Sequence, residues 1–415
     1  MKPECAVFAM FANQAEWLAC NVSNPARFTG TLPQLQPDDL VLAGSQGVVI
    51  AAPDAASIDE GLSWLRTTES TDILAWSAEA NAEADILLLT RGCRDSFRPR
   101  WMRRNLAEPL PVPRLPPDIE LLPATPRHRE SLLAAGNVPY VSRNQIPRIL
   151  DLATAETRPR HTWLLLARRK RRGSAAKIVG AGILHLSDVD GECVGGLYNL
   201  GVDPAWQRQG IGTALTAELC RIARDEGATS LLLNATPAGE RIYRALDFAV
   251  IGDGQTWFLP STIFRDPPTA TLRKGAEALA RGEYQRLDPV IARRKSLPNG
   301  ESPIRFAARY RQAATIRWLL DNGAIPDIAA LWSAGFREEA IMAMTDVRFL
   351  NIQLGPESTA PMHEAVRNGD TELVQALIAA GADLTLRDAQ WHGRPLDWAN
   401  ALGHPDLAAR IEGAM

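Results

Sequence analysis

The residues best placed by type and spacing to do chemistry are Gln207-Arg208-Gln209-Gly210-Ile211-Gly212. They lie between an apolar run that ends at Val202 and a stretch with helical spacing that begins at Thr213. A strand, a turn and a helix in that order put two glycines at the helix start. Backbone N–H groups in a first helical turn have no partner inside the helix, the helix dipole adds partial positive charge, and glycine permits close approach. A phosphate or pyrophosphate is the natural guest, with the Arg208 guanidinium beside it. A glycine-rich turn with no ligand shares this local pattern. It is not a dinucleotide-binding fingerprint, because the third glycine and the acidic residue about 20 positions later are absent, and it is not a P-loop, because no G-K-[ST] is present.

Elements that could position this motif emerge on either side. Ile119 to about Leu259 has an α/β texture. IELLPA (119–124), TWLLLAR (162–168), KIVGAGILHLS (177–187), VGGLYNLGV (194–202) and TSLLLNA (229–235) read as strands, with Gly195 and Gly196 hinting at a bulge. HRESLLAAG, TALTAELCRIARDEG and AGERIYRAL read as helices, and FAVIG and TWFL as two closing strands. Ahead of this region PLPVPRLPP (109–117) carries five prolines and reads as a stiff linker. Residues 1–108 are mixed: LVLAGSQGVVIAAP (40–53) reads as two strands around a glycine turn, and SIDEGLSWLR as a helix with Ser57 and Glu60 at capping-box spacing. From about 270 strands vanish and an internal repeat appears, clearest at Ser302, Ala360 and Arg394, with weaker copies at 275–301 and 328–357.

Composition bounds the function. The chain has 415 residues, which at roughly 150 per domain suits two to four domains. Hydrophobic residues at 46% and charged residues at 22% read as soluble globular protein rather than disordered or fibrous chain. A net charge of −3 gives no electrostatic footprint for nucleic acid. No apolar run approaches the ~18 residues of a membrane span. Cys5 to Ala12 is apolar, but Glu4 offsets Lys2 and no small-residue cleavage site precedes Gln14 and Glu16, so it reads as a first buried strand or helix. Five widely spaced cysteines without C-x-x-C read as reduced, hence a cytoplasmic protein. No His/Cys/carboxylate cluster has metal-ligand spacing.

LYNLGVDPAWQRQGIGTAL followed by LLLNATPAGERIYRALDF closely resembles the GCN5-related N-acetyltransferases, the GNAT superfamily. Gln207, Gly210 and Gly212 match its Q/R-x-x-G-x-G/A signature, Val202-Asp203-Pro204 its V-x-P strand end, and Tyr243 to Phe248 its Y-x-x-L-G-F, with Asp247 at the glycine. The resemblance covers about 118–262 and implies a central mixed sheet and acetyl transfer from acetyl-CoA to an amine, with no metal. It implies that the pyrophosphate lies on the loop Arg208, Gln209, Gly210, Ile211, Gly212 and Thr213, and that the pantetheine arm pairs with Leu200, Gly201 and Val202, where a strand N–H polarises the thioester carbonyl. The leaving thiolate needs a proton, and Tyr243 holds the family's position for that acid, although a tyrosine on an amphipathic helix is also an ordinary core residue. Some relatives carry glutamate where this chain has Asn234. An amide cannot take a proton, so a water held by Asn199 and Asn234, or a group elsewhere, must serve as base. His161 and His185 read as surface or satisfied histidines, and Arg168 to Arg172 as a solvated turn that could also meet an acidic partner or the CoA 3′-phosphate.

The C-terminal copies resemble ankyrin repeats: T-P-L-H-x-A appears as Ala360-Pro361-Met362-His363-Glu364-Ala365, and again from Arg394 and Ser302. Such a stack implies an all-α solenoid that binds a protein or associates with itself, with Trp391 and His392 as exposed candidates. The N-terminal third resembles a degenerate GNAT half, since Arg100 to Leu106 is like the closing strand of tandem relatives. The expected organisation is therefore a degenerate α/β domain at 1–108, the linker at 109–117, a GNAT domain at 118–262 and ankyrin repeats at 270–415. The expected activity is N-acetylation of a small-molecule amine. A protein or peptide amine recruited through the repeats, or a non-enzymatic interaction protein, is the alternative.

Overall fold

The computed structural model describes residues 82–415 except 97, 99, 140–144, 156–160, 171–176, 261–262 and 264. Before 82 it describes positions 6, 9–10, 12–14, 16–17, 40–43, 47–50, 55–56, 58–59, 62 and 73–77. The Ser57/Glu60 capping box, Cys5, Cys20, Arg171 and Arg172 lie outside these residues. The chain forms two compact units: Met1–Ala84 with Asp95–Phe258, and Asp85–Arg94 with Leu259–Met415.

In chain order the strands are β1 (Leu40–Ala43), β2 (Gly47–Ile50), β3 (Ile73–Ser77), β4 (Arg94–Asp95), β5 (Arg100–Asn105), β6 (Ile119–Pro123), β7 (Thr162–Arg169), β8 (Lys177–Val189), β9 (Glu192–Val202), β10 (Ser230–Ala235), β11 (Ala249–Asp253) and β12 (Gln255–Leu259). A seven-stranded sheet runs β11-β5-β10-β9-β8-β7-β6, and a five-stranded sheet runs β1-β2-β3-β12-β4. In the larger sheet only β9 and β10 are parallel, joined by a crossover helix; the other described pairs are antiparallel. Helix α1 (Ala82–Thr90) precedes β4; α2 (Arg129–Leu133) and α3 (Ile146–Thr154) follow β6; α4 (Ile211–Asp225) follows β9; α5 (Pro237–Arg244) follows β10.

Alternation along the strands feeds two cores. Leu184, Leu186, Leu197, Leu231 and Leu233 face α4, whose Ile211, Leu215, Leu219 and Cys220 recur at helical spacing and are buried against them. Ile183, Tyr198, Leu164 and Leu166 face the other way, onto α2, α3 and Trp17. Burial pushes the Cys220 thiol up to about 12, so this cysteine is a packed hydrophobe, as its surroundings require.

Two expectations are corrected. Residues 100–105, assigned by sequence to a separate N-terminal domain, form β5 inside the larger sheet, between β10 and β11. The TWFL segment, read as a strand, is one: it lies in β12 of the smaller sheet. The strand Arg-Trp-Met-Arg-Arg-Asn hides its fitness for the interior because Arg104 is fully buried. Its guanidinium donates to the carbonyls of Leu246 and, at 2.6 Å, of Pro109, with Asp247 at 3.3 Å. Arg104→Met keeps the apolar stem but strands those carbonyls, and should destabilise this unit by about 3 kcal/mol. A denaturant midpoint unchanged in that variant would contradict the role. The second correction concerns Gly195 and Gly196, which are not at a bulge. They are in register with Leu186 and His185, and an added Cβ would meet Leu231 at 2.6 Å and Asn13 at 1.8 Å. Close approach, not backbone irregularity, demands these glycines.

The second unit is built of helix pairs: α6 (Ala270–Arg281), then α7 (Pro303–Arg309) with α8 (Ala313–Asp321), α9 (Ile328–Ser333) with α10 (Arg337–Met344) and the short α11 (Val347–Leu350), α12 (Pro361–Arg367) with α13 (Thr371–Ala379), and α14 (Pro395–Ala401) with α15 (Pro405–Glu412). Ser302, Asp327 and Asp370 cap helix starts by accepting from the amides of Arg305, Ala330 and Leu373. Part of α1 belongs to this unit: Tyr310 donates to Asp85 at 2.7 Å and Arg91 pairs with Glu277 at 3.1 Å.

His363 shows why the repeat motif carries a histidine. It is fully buried, its Nδ1 accepts from the Ala360 amide at 3.3 Å, and its Nε2 reaches the Gly393 carbonyl at 3.0 Å, tying one repeat to the next. Burial lowers its pKa, outweighing the Gly393 carbonyl and the carboxylates of Asp388 and Glu364. The folded unit thus prefers neutral His363, so its contribution to stability is complete above the unfolded value of about 6.5 and is lost as pH falls below it. Melting of this unit should drop between pH 7.5 and 5.5, and His363→Gln should flatten that dependence. An equally steep decline in the variant would assign it to other groups. Asp397, held down to about 2 chiefly by its bond with Arg394, titrates in a separate and more acidic window.

Candidate functional site

The chemistry-bearing loop sits where β9 hands over to α4. Gly210 is the N-cap of this 15-residue helix, with φ +82, a left-handed conformation that favours glycine. A Cβ there would lie 2.8 Å from the Arg114 carbonyl of the proline-rich segment. Arg208 also has positive φ, at 62, and Gln207, Arg208 and Gln209 are exposed. Gln207 donates to the Val202 carbonyl at 3.0 Å and so ties the loop to the end of β9. The Gly210 carbonyl accepts from Ala214 at 2.9 Å, so the amides of Ile211, Gly212 and Thr213 form the first turn, which lacks i−4 partners within the helix. Three amides and a dipole at the end of a long helix suit an anion, and Arg208 supplies a full charge beside them.

A wedge opens next to this loop. The parallel register of β9 with β10 runs from Val194↔Ser230 to Leu197↔Leu233 and stops there. Beyond it β9 pairs only with β8, through a register shift between Ala181 and Ile183, and Asn199 takes φ 48. Leu200, Gly201 and Val202 thus present their second edge away from β10. Gly201 is required by backbone crowding, since a Cβ would lie 2.2 Å from the Pro139 carbonyl.

Asn199 and Asn234 occupy the ends of the two strands at this opening. Asn234 donates to Gln14 at 3.4 Å, and its Oδ1 is buried with no protein partner. Tyr243, on α5 after β10, is 7% exposed and stacks edge-on to Phe248 at 5.7 Å, within the core that holds α4. Its ring therefore packs as a core residue whatever its hydroxyl does. Asp247 takes φ 58 in the turn after α5, which explains the glycine at this position in the family pattern.

The histidines and the basic run fall differently. His161 is exposed, whereas His185 is 1% exposed on β8, with Nδ1 2.9 Å from Thr162 Oγ1 and Nε2 3.4 Å from Glu16 Oε1. Arg168 pairs with Glu120 at 2.5 Å and Arg169 with Asp118 at 2.9 Å, and Arg169 also lies 4.7 Å above the Trp206 ring. These arginines are committed to β6 and to an aromatic neighbour rather than poised for a phosphate.

Sequence reasoning missed a group of residues from the N-terminal helical positions. Tyr198 donates to Asn13 at 2.5 Å, Asn13 donates to Ser187 at 2.8 Å and to the His185 carbonyl at 3.2 Å, and Trp17 stacks on Tyr198 at 5.2 Å. Burial drives the Tyr198 phenol well above its usual range, aided by the Glu16 charge, so it stays neutral and donates. The available signal was Asn13, Gln14, Glu16 and Trp17 inside an otherwise apolar stretch. Among the described residues no group of three or more His, Cys, Asp or Glu is arranged to hold a metal, and no helix is long and apolar enough to cross a membrane.

Comparison with known proteins follows the division of the chain. The acetyltransferase (GNAT) family model matches residues 131–248 and the ankyrin repeat model residues 359–389. Human cyclin-dependent kinase inhibitor 2A is 36% identical over 118 residues, covering 26% of this chain and 74% of that protein. Mycothiol acetyltransferase of Nocardiopsis dassonvillei is 31% identical over 164 residues, covering 36% of this chain and 48% of the relative, so the match spans about half of its length. A solved structure of a GCN5-related N-acetyltransferase from Kribbella flavida aligns with a TM-score of 0.40 at 21% identity, covering 54% of this chain and 84% of that one. The chain thus joins a domain matched by the acetyltransferase (GNAT) family model to a segment matched by the ankyrin repeat model.

Proposed function

We propose that the chain transfers an acetyl group from acetyl-CoA to the primary amine of a small molecule. The observation that carries this reading is the end of the β9–β10 register at Leu197↔Leu233, directly beside the first turn of α4. The residues fit the donor: the amides of Ile211, Gly212 and Thr213, with Arg208, suit its pyrophosphate, and the outward edge of Leu200, Gly201 and Val202 suits its amide-bearing arm. When bound, acetyl-CoA supplies an activated thioester carbonyl. A β9 amide at the opening donates to that carbonyl as charge develops on its oxygen. Asn234 Oδ1, buried and without a protein partner, accepts a hydrogen bond from the incoming amine or from a water beside it. The Tyr243 hydroxyl protonates the leaving sulfur.

A small acceptor is favoured because positions 13, 14, 16 and 17 pack on the sheet face next to Asn234. The mycothiol acetyltransferase likeness supports the same class. The ankyrin unit favours one further role, a protein contact: Trp391 is 60% exposed at the tip of a turn held by Asp388, which accepts from the amides of Gln390, Trp391 and Gly393. The experiment is release of CoA thiol from acetyl-CoA with a panel of primary amines. Saturable, amine-dependent release supports transfer; release that no amine accelerates overturns it.

A further inference from the structure

Asn234 carries an amide, which cannot take a proton, so its neighbours in the same compact unit bear on the acceptor chemistry. Four observations converge on positions 13–17. Gly196 has no side chain, which lets Asn13 lie directly on the sheet between Tyr198 and Ser187. Gln14 reaches Asn234 at the mouth of the wedge. Trp17 stacks on Tyr198, the last residue before the β9 irregularity. Glu16 then places a carboxylate 3.4 Å from His185 Nε2, a nitrogen that is fully buried and has no better-aligned partner. The helical positions 13, 16 and 17 share one face, one turn apart. That face meets His185 and Ser187 on β8 and Tyr198 on β9, while the neighbouring Gln14 reaches Asn234 on β10.

We propose that Glu16, paired with His185, is the proton acceptor for the incoming amine, and that the acceptor is a small amine bound initially as its ammonium. This rests on the transferase reading given above. A largely buried carboxylate favours a cation, and the ammonium is the form most aliphatic amines take at neutral pH. In the step itself the ammonium passes one proton to the Glu16–His185 pair. The freed nitrogen lone pair forms the N–C bond to the acetyl carbon, the C–S bond breaks, and the sulfur takes the Tyr243 proton. The second proton of the nitrogen leaves to solvent as the amide forms, the Glu16–His185 pair gives its proton up to solvent, and Tyr243 is reprotonated from solvent. Glu16 faces His185 and Ser187 on β8 and the more distant His161 before β7. Burial raises its pKa, and the bonds to His185 and Ser187 together with the charges of both histidines overcome that and lower it.

The test uses the full chain with glucosamine, spermidine and tyramine as probe amines, taking the one with the greatest thiol release. Glu16→Gln should lower kcat/KM for the amine about 100-fold, in the range of a lost general base, while leaving the acetyl-CoA affinity and the melting temperature within error. Glu16→Asp should restore part of the rate. The rise of kcat/KM with pH should move upward in Glu16→Gln, toward the titration of the free amine. A Glu16→Gln rate within threefold of wild type, with an unshifted pH profile, overturns the proposal while leaving the transferase reading intact. Loss of acetyl-CoA affinity equal to the loss of rate would make Glu16 structural and also overturn it. Wild-type protein that binds acetyl-CoA yet releases no thiol with any of these amines would remove the transferase reading, and this proposal with it.

Discussion

Gly210→Trp will abolish acetyl-CoA binding while leaving the fold standing. The residue takes φ +82, where a side chain is strained, and even a Cβ would approach the Arg114 carbonyl to 2.8 Å. An indole at that point must displace the proline-rich segment or lie across the amides of Ile211, Gly212 and Thr213, which we propose hold the donor's pyrophosphate. The donor at 100 times its dissociation constant should stabilise wild type by about 2.7 kcal/mol. In the variant that increment should vanish, with the unliganded melting temperature lowered only slightly. A variant stabilised as much as wild type would show that the loop does not bind the donor.

Tyr243→Phe should cut turnover roughly 1,000-fold, within the range for a lost general acid, with acetyl-CoA affinity unchanged. The substitution isolates chemistry from packing because the ring stays. Phe keeps the edge-on contact with Phe248 at 5.7 Å and the burial against the core. A phenol, ordinarily near pKa 10, suits the task of protonating a thiolate. Turnover within threefold of wild type would reduce Tyr243 to the core aromatic that its burial also describes.

What could be read from the sequence follows a physical divide. The loop and its flanks were legible because their demands are local. Positive φ calls for Gly210, and a strand-to-helix turn calls for an apolar run followed by helical spacing. The ankyrin helices were legible for the same reason, repeated with a period and in three cases capped by Ser302, Asp327 or Asp370. Strand partners were not. Nothing local to Arg100–Asn105 says that it inserts between β10 and β11, because its burial depends on carbonyls at Leu246 and Pro109 far along the chain or around a bend. Nor does Gly196 announce that its missing side chain makes room for Asn13, which is 183 positions away. The candidate donor side was thus visible from contiguous residues, and the acceptor side was not, since Asn13, Gln14 and Glu16 reach Tyr198, Asn234 and His185 only through the tertiary fold.

The most direct measurement is a calorimetric titration of the unmodified chain with acetyl-CoA. One site per chain with micromolar affinity is the expected outcome if the α4 amides, Arg208 and the end of β9 hold the donor as proposed. Absence of heat and of competition by CoA at millimolar donor would contradict the assignment of this wedge as an acetyl-CoA site.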